Sequence, residues 1–201
     1  MLVYNSRLVG TPVLSVQASG PIAEVTEPIV NPDNLKILAF KLTGPIVNAT
    51  NNILDVKSIR EYSHLGMVID DNDELIGPSD VVKIQKVLDL NFSLIGLKVE
   101  TRKGTKLGTI IDFTATSDDF TIQQIIVKRP LVKSFIDPEL IIHRREIVEI
   151  TDYKVIVKDE EKTIKARASK EDFVPNFVNP FRTHEPGFAP ADTKTLADED
   201  N

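Results

Sequence analysis

Apolar residues in the second half of the chain recur with a period of two, which places alternate side chains on one face of a strand. Residues 107–113 follow this period with both faces partly apolar, and residues 153–158 follow it with one apolar face. Lys103-Gly104 precedes the first segment and predicts a hairpin turn, because glycine accepts a positive φ without a Cβ clash. Several short strands separated by turn residues predict a mainly β protein of barrel or sandwich type.

Four blocks of the first half return in the second half in the same order, which indicates an internal repeat. The matched blocks are residues 8–13 with 94–99, 20–25 with 105–110, 35–41 with 122–128, and 59–71 with 147–159. The offset between matched residues runs from 86 through 85 and 87 to 88, and each change falls in a turn-like stretch. The equivalent pairs expected from this alignment include Ile37/Gln124, Phe40/Val127 and Val68/Ile156.

A helix is predicted between the two copies of the repeat. Ser79 or Asp80 is expected to cap a run whose apolar residues recur at helical spacing. Those apolar residues are Val81, Ile84, Val87 and Leu88. The chain therefore divides into a first module over residues 1–78, a connecting segment over 79–91, a second module over 92–168 and a tail over 169–201.

Two polar stretches occupy matching places in the repeat, each directly after a predicted strand. They are residues 70–73 and 159–162, and they are followed by the apolar or β-branched pairs at 75–76 and 163–164. Polar turn residues between two such segments favour a hairpin, so we predict one hairpin turn at each place.

The second module contains a recognisable pattern of glycine and aliphatic positions. The pattern is Leu94-Ile95-Gly96-x-x-Val99, then Gly104-x-x-Leu107-Gly108-x-Ile110-x-Asp112, then Ile122-x-x-Ile125-Ile126-Val127. This pattern over residues 92–160 resembles the PRC-barrel family, whose members are small β-barrels. The resemblance implies two tandem barrels that contact other macromolecules, without a shared catalytic motif. Gly96, Gly104 and Gly108 are then structural glycines, required by turns and by close strand packing.

The first module matches the family only through its relation to the second. Ala23 stands where the second module has Gly108. Pro12, Pro28 and Pro32 interrupt its early strands, and proline cannot donate to a strand ladder. We therefore expect these three prolines at edge or loop positions.

The composition agrees with a β protein and narrows its chemistry. Of 201 residues, 41% are hydrophobic but only 6% are aromatic, so Ile, Val and Leu must carry the core. The absence of cysteine excludes disulfides, thiolate catalysis and cysteine metal ligands. A net charge of −6 argues against tight binding to nucleic acid or to anionic lipid.

Residues suited to catalysis or metal binding are scattered. His64, His143 and His184 show no metal-binding spacing, and His143 neighbours two arginines. The acidic stretch 70–74 lacks the glycine and glutamate of a calcium loop, so we interpret it as a solvated turn. Neither a nucleophile-elbow nor a phosphate-binding glycine motif occurs. We predict a protein that is not an enzyme and that has no cofactor or metal.

The tail changes character after Ala168. Three of the nine phenylalanines, Phe173, Phe177 and Phe181, lie in it among prolines that forbid a regular helix. These phenylalanines either dock on the barrels of their own chain or bind a partner, and both alternatives stay open. From residue 185 onward the chain is polar and acidic, so we expect disorder there.

Taken together, these features predict a non-catalytic adaptor or scaffold that binds an unidentified protein through its barrels. The alternative is an accessory factor of ribosome or RNA processing, because the same barrel occurs in a bacterial ribosome-maturation factor. Lys98, Arg102, Lys103 and Lys106 would then contact RNA, but no aromatic residue lies near them in sequence for base stacking. No signal peptide and no membrane-spanning stretch is apparent, so a cytoplasmic location is expected.

Overall fold

The computed structural model describes residues 1–130 and 138–159, and this part of the chain is mainly β, as predicted. The strands are β1 (Leu2–Tyr4), β2 (Pro12–Ser15), β3 (Gly20–Asn31), β4 (Lys36–Thr43), β5 (Ile53–Asp55), β6 (Glu61–Ser63), β7 (Gly66–Ile69), β8 (Leu75–Ile76), β9 (Lys98–Thr101), β10 (Lys106–Thr116), β11 (Ile122–Lys128), β12 (Glu139–His143), β13 (Ile147–Ile150) and β14 (Lys154–Val157). The helices are α1 (Asn5–Leu8) and α2 (Val82–Asp89). Short 3₁₀ turns cover Val56–Ser58, Asn72–Glu74 and Arg144–Glu146.

The strands form two sheets with the same connectivity. The first sheet has the order β6-β7-β2-β3-β4-β5-β8, and the second has the order β13-β14-β9-β10-β11-β12 with β1 added beside β10. Each sheet contains one parallel pair, β2 with β7 and β9 with β14, and all its other pairs are antiparallel. The sequence repeat therefore corresponds to a repeat of strand order.

Neither sheet closes into a barrel within the described residues, which corrects the expectation of two closed barrels. In the first sheet β6 and β8 form the two edges, and in the second sheet β12 and β13 do. Closure requires edge strands that tilt and stagger far enough to pair. These edge strands are only two to five residues long, so their backbones extend too little for a closing ladder.

Strand pairing corrects two of the three equivalences predicted from the sequence. Val25 pairs with Leu42 in the first sheet, and its counterpart Ile110 pairs with Val127 in the second. Leu42, and not Phe40, is therefore equivalent to Val127. The same two-residue correction makes Ile37 equivalent to Ile122 in the repeat, and not to Gln124. A shift by two residues leaves every side chain on the same face of its strand, so the hydrophobic pattern could not reveal the error.

The third predicted equivalence, Val68 with Ile156, is confirmed. Val68 lies beside Leu14 in the parallel pair of the first sheet, and Ile156 lies beside Glu100 in the parallel pair of the second. Leu14 and Glu100 themselves occupy matching places in β2 and β9. The repeat alignment is thus correct at its end. The strands there are short, so a shift of the alignment by two residues would place half of a strand outside the paired region.

The two sheets are joined at the tips of their longest hairpins. The amide of Ile37 donates to the carbonyl of Phe120 at 3.0 Å, and the amide of Ile122 donates to the carbonyl of Leu35 at 2.8 Å. Leu35 and Phe120 both have a left-handed backbone, with φ of 53° and 49°. Such a φ is uncommon for side chains of this size, so the contacts between the tips must stabilise it.

One hydrophobic core spans both sheets, and a smaller second cluster lies beside α2. Phe40 of β4 and Phe113 of β10 are its largest fully buried side chains. The ring of Phe120 packs edge-on against Phe40, with centroids 5.3 Å apart, and against Tyr62, with centroids 5.8 Å apart. Because Phe120 belongs to the second repeat and its two aromatic neighbours to the first, the repeats share one core.

The first residues of the chain belong to the second sheet. Strand β1 pairs with the end of β10, where Val3 lies opposite Ala115 and is buried. The hydroxyl of Ser6 at the start of α1 donates to the carboxylate of Asp112 at 2.8 Å. The predicted boundary at residue 78 therefore does not separate the two sheets completely.

The predicted helix is present as α2, but its predicted caps are not. Val81 occupies the N-cap position, and no side chain caps the first turn. The carboxylate of Asp80 instead accepts a hydrogen bond from the amide of Gly77 at 2.6 Å. The apolar face of α2 packs on one face of the first sheet. This second cluster consists of Ile29, Ala39, Ile53, Ile84 and Val87.

The predicted hairpin over residues 70–73 is wrong. The 3₁₀ turn Asn72–Glu74 follows β7, and β8 then pairs with β5 at the other edge of the sheet. The two residues of β8 gain a ladder partner there, and residues 77–81 connect them to α2. The corresponding prediction over residues 159–162 lies outside the described residues, except for Asp159.

The three glycines singled out in the second module have different surroundings. A Cβ on Gly108 would lie 2.0 Å from the carbonyl oxygen of Lys128, whereas one on Gly96 or Gly104 would meet no atom within 4 Å. All three have positive φ. In the first sheet Ala23 is the equivalent of Gly108. The close backbone approach there falls at Gly44 instead, where an added Cβ would lie 2.7 Å from the carbonyl oxygen of Ile22.

The prolines lie where their missing amide is tolerated. Pro12 is the first residue of β2, and Pro32 lies in the turn after β3. Pro28 lies within β3, opposite Phe40 of β4. Among the described strands, this stretch of β3 pairs on one side only, because β2 pairs with the earlier residues of β3. All three positions agree with the predicted edge or loop environment.

Candidate functional site

An apolar concavity lies beside helix α2, and we call it the α2 groove. It has a volume of about 460 Å³. It is lined by Lys36, Ile37, Leu38, Asp55, Val56, Lys57, Ile59, Val81, Lys83, Ile84, Asp118 and Asp119. Four parts of the chain therefore meet here: β4, the 3₁₀ turn after β5, the first turn of α2 and the β10–β11 hairpin.

The floor of the groove is aliphatic. Leu38, Val56 and Val81 are half-buried and partly accessible. Ile37 and Ile84 are almost fully buried beneath them. The position follows from local structure, because α2 packs on the sheet and its first turn lines the groove together with β4. An exposed aliphatic floor of this kind favours contact with apolar side chains.

The rim of the groove is charged, and the carboxylates on it already have partners. Asp119 accepts from the Lys36 ammonium at 3.1 Å, and Asp55 accepts from the backbone amide of Lys57 at 2.9 Å. Asp118 lies 4.0 Å from the amino group of Met1. Asp118 and Asp119 thus lie beside a positive charge of the chain, whereas Asp55 keeps its charge and has an amide donor.

Asp119 is held most firmly of these acids. The hydroxyls of Thr116 and Thr121 donate to its two carboxylate oxygens, and Lys36 adds an ion pair. These hydrogen bonds, and after them the Lys36 interaction, lower the pKa of Asp119 well below its usual range. Asp119 therefore stays ionised and fixes the hairpin tip that forms one wall of the groove.

Two lysines of the rim have no such compensation. Within residues 1–130 and 138–159, neither Lys57 nor Lys83 takes part in an ion pair. Both side chains are exposed. The rim therefore presents two available ammonium groups beside an aliphatic floor, on a chain whose net charge is −6.

The second repeat has a smaller cleft in the matching place. It has a volume of about 220 Å³ and lies between the tip of the β3–β4 hairpin and β13. There the guanidinium of Arg144 donates to the carbonyl of Asn34 at 3.1 Å and fills part of the space. Within the described residues no helix forms a wall of this cleft, so the larger groove depends on α2.

The residues predicted to bind a partner or to dock in cis lie outside the described residues. These are Phe173, Phe177 and Phe181. Gly108 lines a separate small cleft, and neither Gly96 nor Gly104 lines the α2 groove. The structure therefore places the candidate site in a region that the sequence analysis did not select.

The basic hairpin considered for RNA binding is interrupted by acids. Glu100 accepts from the Lys154 ammonium at 2.9 Å, and this ion pair lowers the pKa of Glu100. The carboxylate of Asp159 accepts from the amide of Lys103 at 3.0 Å. These carboxylates reduce the positive potential that phosphate binding requires.

The acidic stretch 70–74 is engaged in internal contacts. Asp70 accepts from the Arg60 guanidinium at 2.6 Å, and Asp71 accepts from the amide of Asp73 at 2.9 Å. Burial and the neighbouring acids raise the pKa of Glu74. In the described parts of the chain, no group of three or more His, Asp or Glu side chains has metal-binding geometry.

The described histidines lie apart from one another. The ring of His143 contacts the side-chain amide of Gln124 at 3.1 Å, and His64 is exposed after β6. His184 lies outside the described residues. Neither described helix has the length and apolar content that crossing a bilayer requires.

The sequence contained one usable signal for the α2 groove. The predicted helix has its first apolar residue, Val81, directly after polar residues, without an acidic residue in the first turn. The contribution of β4, of the 3₁₀ turn and of the second repeat's hairpin depends on tertiary contacts. Comparison with known protein families and with curated proteins finds no match for this chain.

Proposed function

We propose that this protein is a non-catalytic adaptor that binds another protein through the α2 groove. The observation that carries the proposal is the groove itself, an open aliphatic floor with two available ammonium groups on its rim. Concave surfaces with a few placed polar groups are the usual form of a binding site. The rim acids have internal partners, and this arrangement favours binding over proton transfer.

We further propose that the two sheets are divergent modules of the PRC-barrel type. The shared strand order, with one parallel pair in each sheet, supports a duplicated module. The pattern around Gly108 supports the family, because that glycine allows the close approach of Lys128. The open edges depart from a closed barrel, and this departure allows the two modules to share a core.

The proposal is tested by capturing partners from a lysate of the source organism with the full chain and with two variants. Val81→Glu places a charge on the groove floor. Val82→Glu makes the same change at the next residue, which is 64% exposed and does not line the groove. A protein captured by the wild type and by Val82→Glu but lost with Val81→Glu is the expected result, with unchanged circular dichroism for both variants.

Capture that is equal for all three chains would overturn the groove as the binding site. Recovery of ribosomal RNA that is lost when Lys98 and Lys103 are replaced by alanine would overturn the adaptor in favour of an RNA-processing factor. That outcome is disfavoured by the carboxylates of Glu100 and Asp159 within the basic hairpin.

A further inference from the structure

We infer that the α2 groove binds an extended acidic segment of its protein partner, which places aliphatic side chains on the floor and carboxylates at Lys57 and Lys83. The inference rests on the proposed function, because it names the ligand of the same groove. It follows from the charges of the rim, from the end of α2 and from the composition of the floor.

The rim of the groove keeps positive charge after internal pairing. Three lysines and three aspartates line the groove. Asp119 is paired with Lys36, and Asp118 lies near the amino group of the chain. Asp55 is engaged by a backbone amide. Lys57 and Lys83, which form no ion pair within the described residues, then face the single remaining carboxylate of Asp55. The rim keeps an excess of positive charge, so the complementary ligand carries carboxylates.

The first turn of α2 favours the same sign of ligand charge. It carries no capping side chain and no acidic residue. The first amides of a helix have no partner within the helix and form the positive end of its dipole. Lys83 lies in this turn, so the ammonium and the helix end favour the same sign of ligand charge.

The floor of the groove selects a peptide of aliphatic character over a nucleic acid. Its side chains are aliphatic, and no aromatic ring occurs among the described lining residues. Recognition of single-stranded RNA usually requires aromatic stacking of bases. Leu38, Val56 and Val81 instead offer a surface that branched aliphatic side chains can cover.

The inference is tested with a defined probe and the full chain. The probe is a fluorescein-labelled peptide of sequence Gly-Glu-Leu-Asp-Leu-Glu-Leu-Gly, and its neutral counterpart has Gln and Asn in place of the acids. Fluorescence anisotropy measures the affinity of each. We expect the combined change Lys57→Ala and Lys83→Ala to weaken binding of the acidic probe about tenfold, since two exposed charge pairs are removed.

The matched control is the combined change Lys98→Ala and Lys103→Ala. It removes the same charge from exposed residues that do not line the groove, so binding should weaken less than about twofold. Equal weakening by both double variants, or equal affinity for the acidic and neutral probes, would overturn the inference. Displacement of the probe by a synthetic peptide of residues 169–201 would also overturn it, because the acidic ligand would then be the chain's own tail.

The two proposals fail in different ways. If Val81→Glu abolishes capture of a partner while the lysine variants bind both probes normally, the groove is the site but its ligand is not acidic. If Val81→Glu leaves partner capture intact, the proposed function itself is wrong. The combination of partner capture and probe binding therefore separates the two.

Discussion

Leu35 and Phe120 occupy equivalent positions in the two repeats, and each carbonyl accepts a hydrogen bond from the other repeat. Leu35 accepts from Ile122 at 2.8 Å, and Phe120 accepts from Ile37 at 3.0 Å. These two hydrogen bonds join the hairpin tips, and the ring of Phe120 packs against Phe40 in the core. The two repeats are therefore expected to unfold together.

Replacement of Phe120 by alanine tests this joint. The ring is 2% exposed and contacts two aromatic rings of the other repeat, so its loss leaves a cavity between the sheets. We expect the free energy of unfolding to fall by about 3–5 kcal/mol, measured by urea denaturation. Tyr153→Ala, at a residue 82% exposed, should change it by less than about 0.5 kcal/mol. A loss of under about 1 kcal/mol for Phe120→Ala would contradict a shared core.

Replacement of Gly108 by valine tests the close approach of β10 and β11. A Cβ there would lie 2.0 Å from the carbonyl oxygen of Lys128, and the φ of 150° is itself unfavourable for valine. We expect a fall in the melting temperature that exceeds the fall for Gly104→Ala. Gly104→Ala meets no atom within 4 Å and should cost about 1–2 kcal/mol, from its left-handed φ alone. Equal effects of the two substitutions would show that steric crowding at Gly108 is unimportant.

The depressed pKa of Asp119 predicts a pH dependence of stability. A carboxylate whose pKa is lower in the folded state contributes stability above its ordinary pKa of about 3.9 and loses it as the pH falls toward the folded value. The causes are the hydroxyls of Thr116 and Thr121, then Lys36. Asp119→Asn should therefore be less stable than the wild type at neutral pH, and the difference should shrink in acid.

The measurement for Asp119 is urea denaturation of both chains from about pH 7 down to about pH 2. Asp118→Asn is the adjacent control, because its side chain is 86% exposed and, among the described residues, accepts a hydroxyl hydrogen bond from Ser117 alone, where Asp119 has two hydroxyl donors and Lys36. A stability difference for Asp119→Asn that is independent of pH would show that the depressed pKa contributes nothing.

The phenylalanines of the tail lead to two opposite predictions, which the sequence leaves open. If Phe173, Phe177 and Phe181 dock in cis, a chain ending at Ala168 should have a lower melting temperature, since each buried ring contributes about 1.5–3 kcal/mol. If they bind a partner, the same truncation should leave stability intact and abolish capture of that partner. A chain ending at Glu185 keeps the rings and should behave as the wild type does. A truncation at Ala168 that changes neither property would contradict both alternatives.

The strand content, the repeat and the connecting helix follow from local patterns along the chain. A period of two in the apolar residues predicts the strands, and the helical spacing of Val81, Ile84 and Val87 predicts the helix. The repeat is visible because equivalent positions face equivalent surroundings, as Val68 and Ile156 do in their parallel pairs. These features are local, so local patterns suffice to predict them.

The register of β4 and β11, the open edges, the place of β1 and the α2 groove depend instead on contacts between distant segments. A shift by two residues preserves the faces of a strand, and the correct equivalence of Leu42 with Val127 appears only in the cross-strand ladder. The pairing of Val3 with Ala115 joins residues 112 positions apart, and nothing in either segment specifies the other. The groove combines side chains from both repeats, each ordinary in its own segment. Such long-range contacts form because they bury apolar surface and satisfy backbone hydrogen bonds, and neither condition can be evaluated along the chain alone.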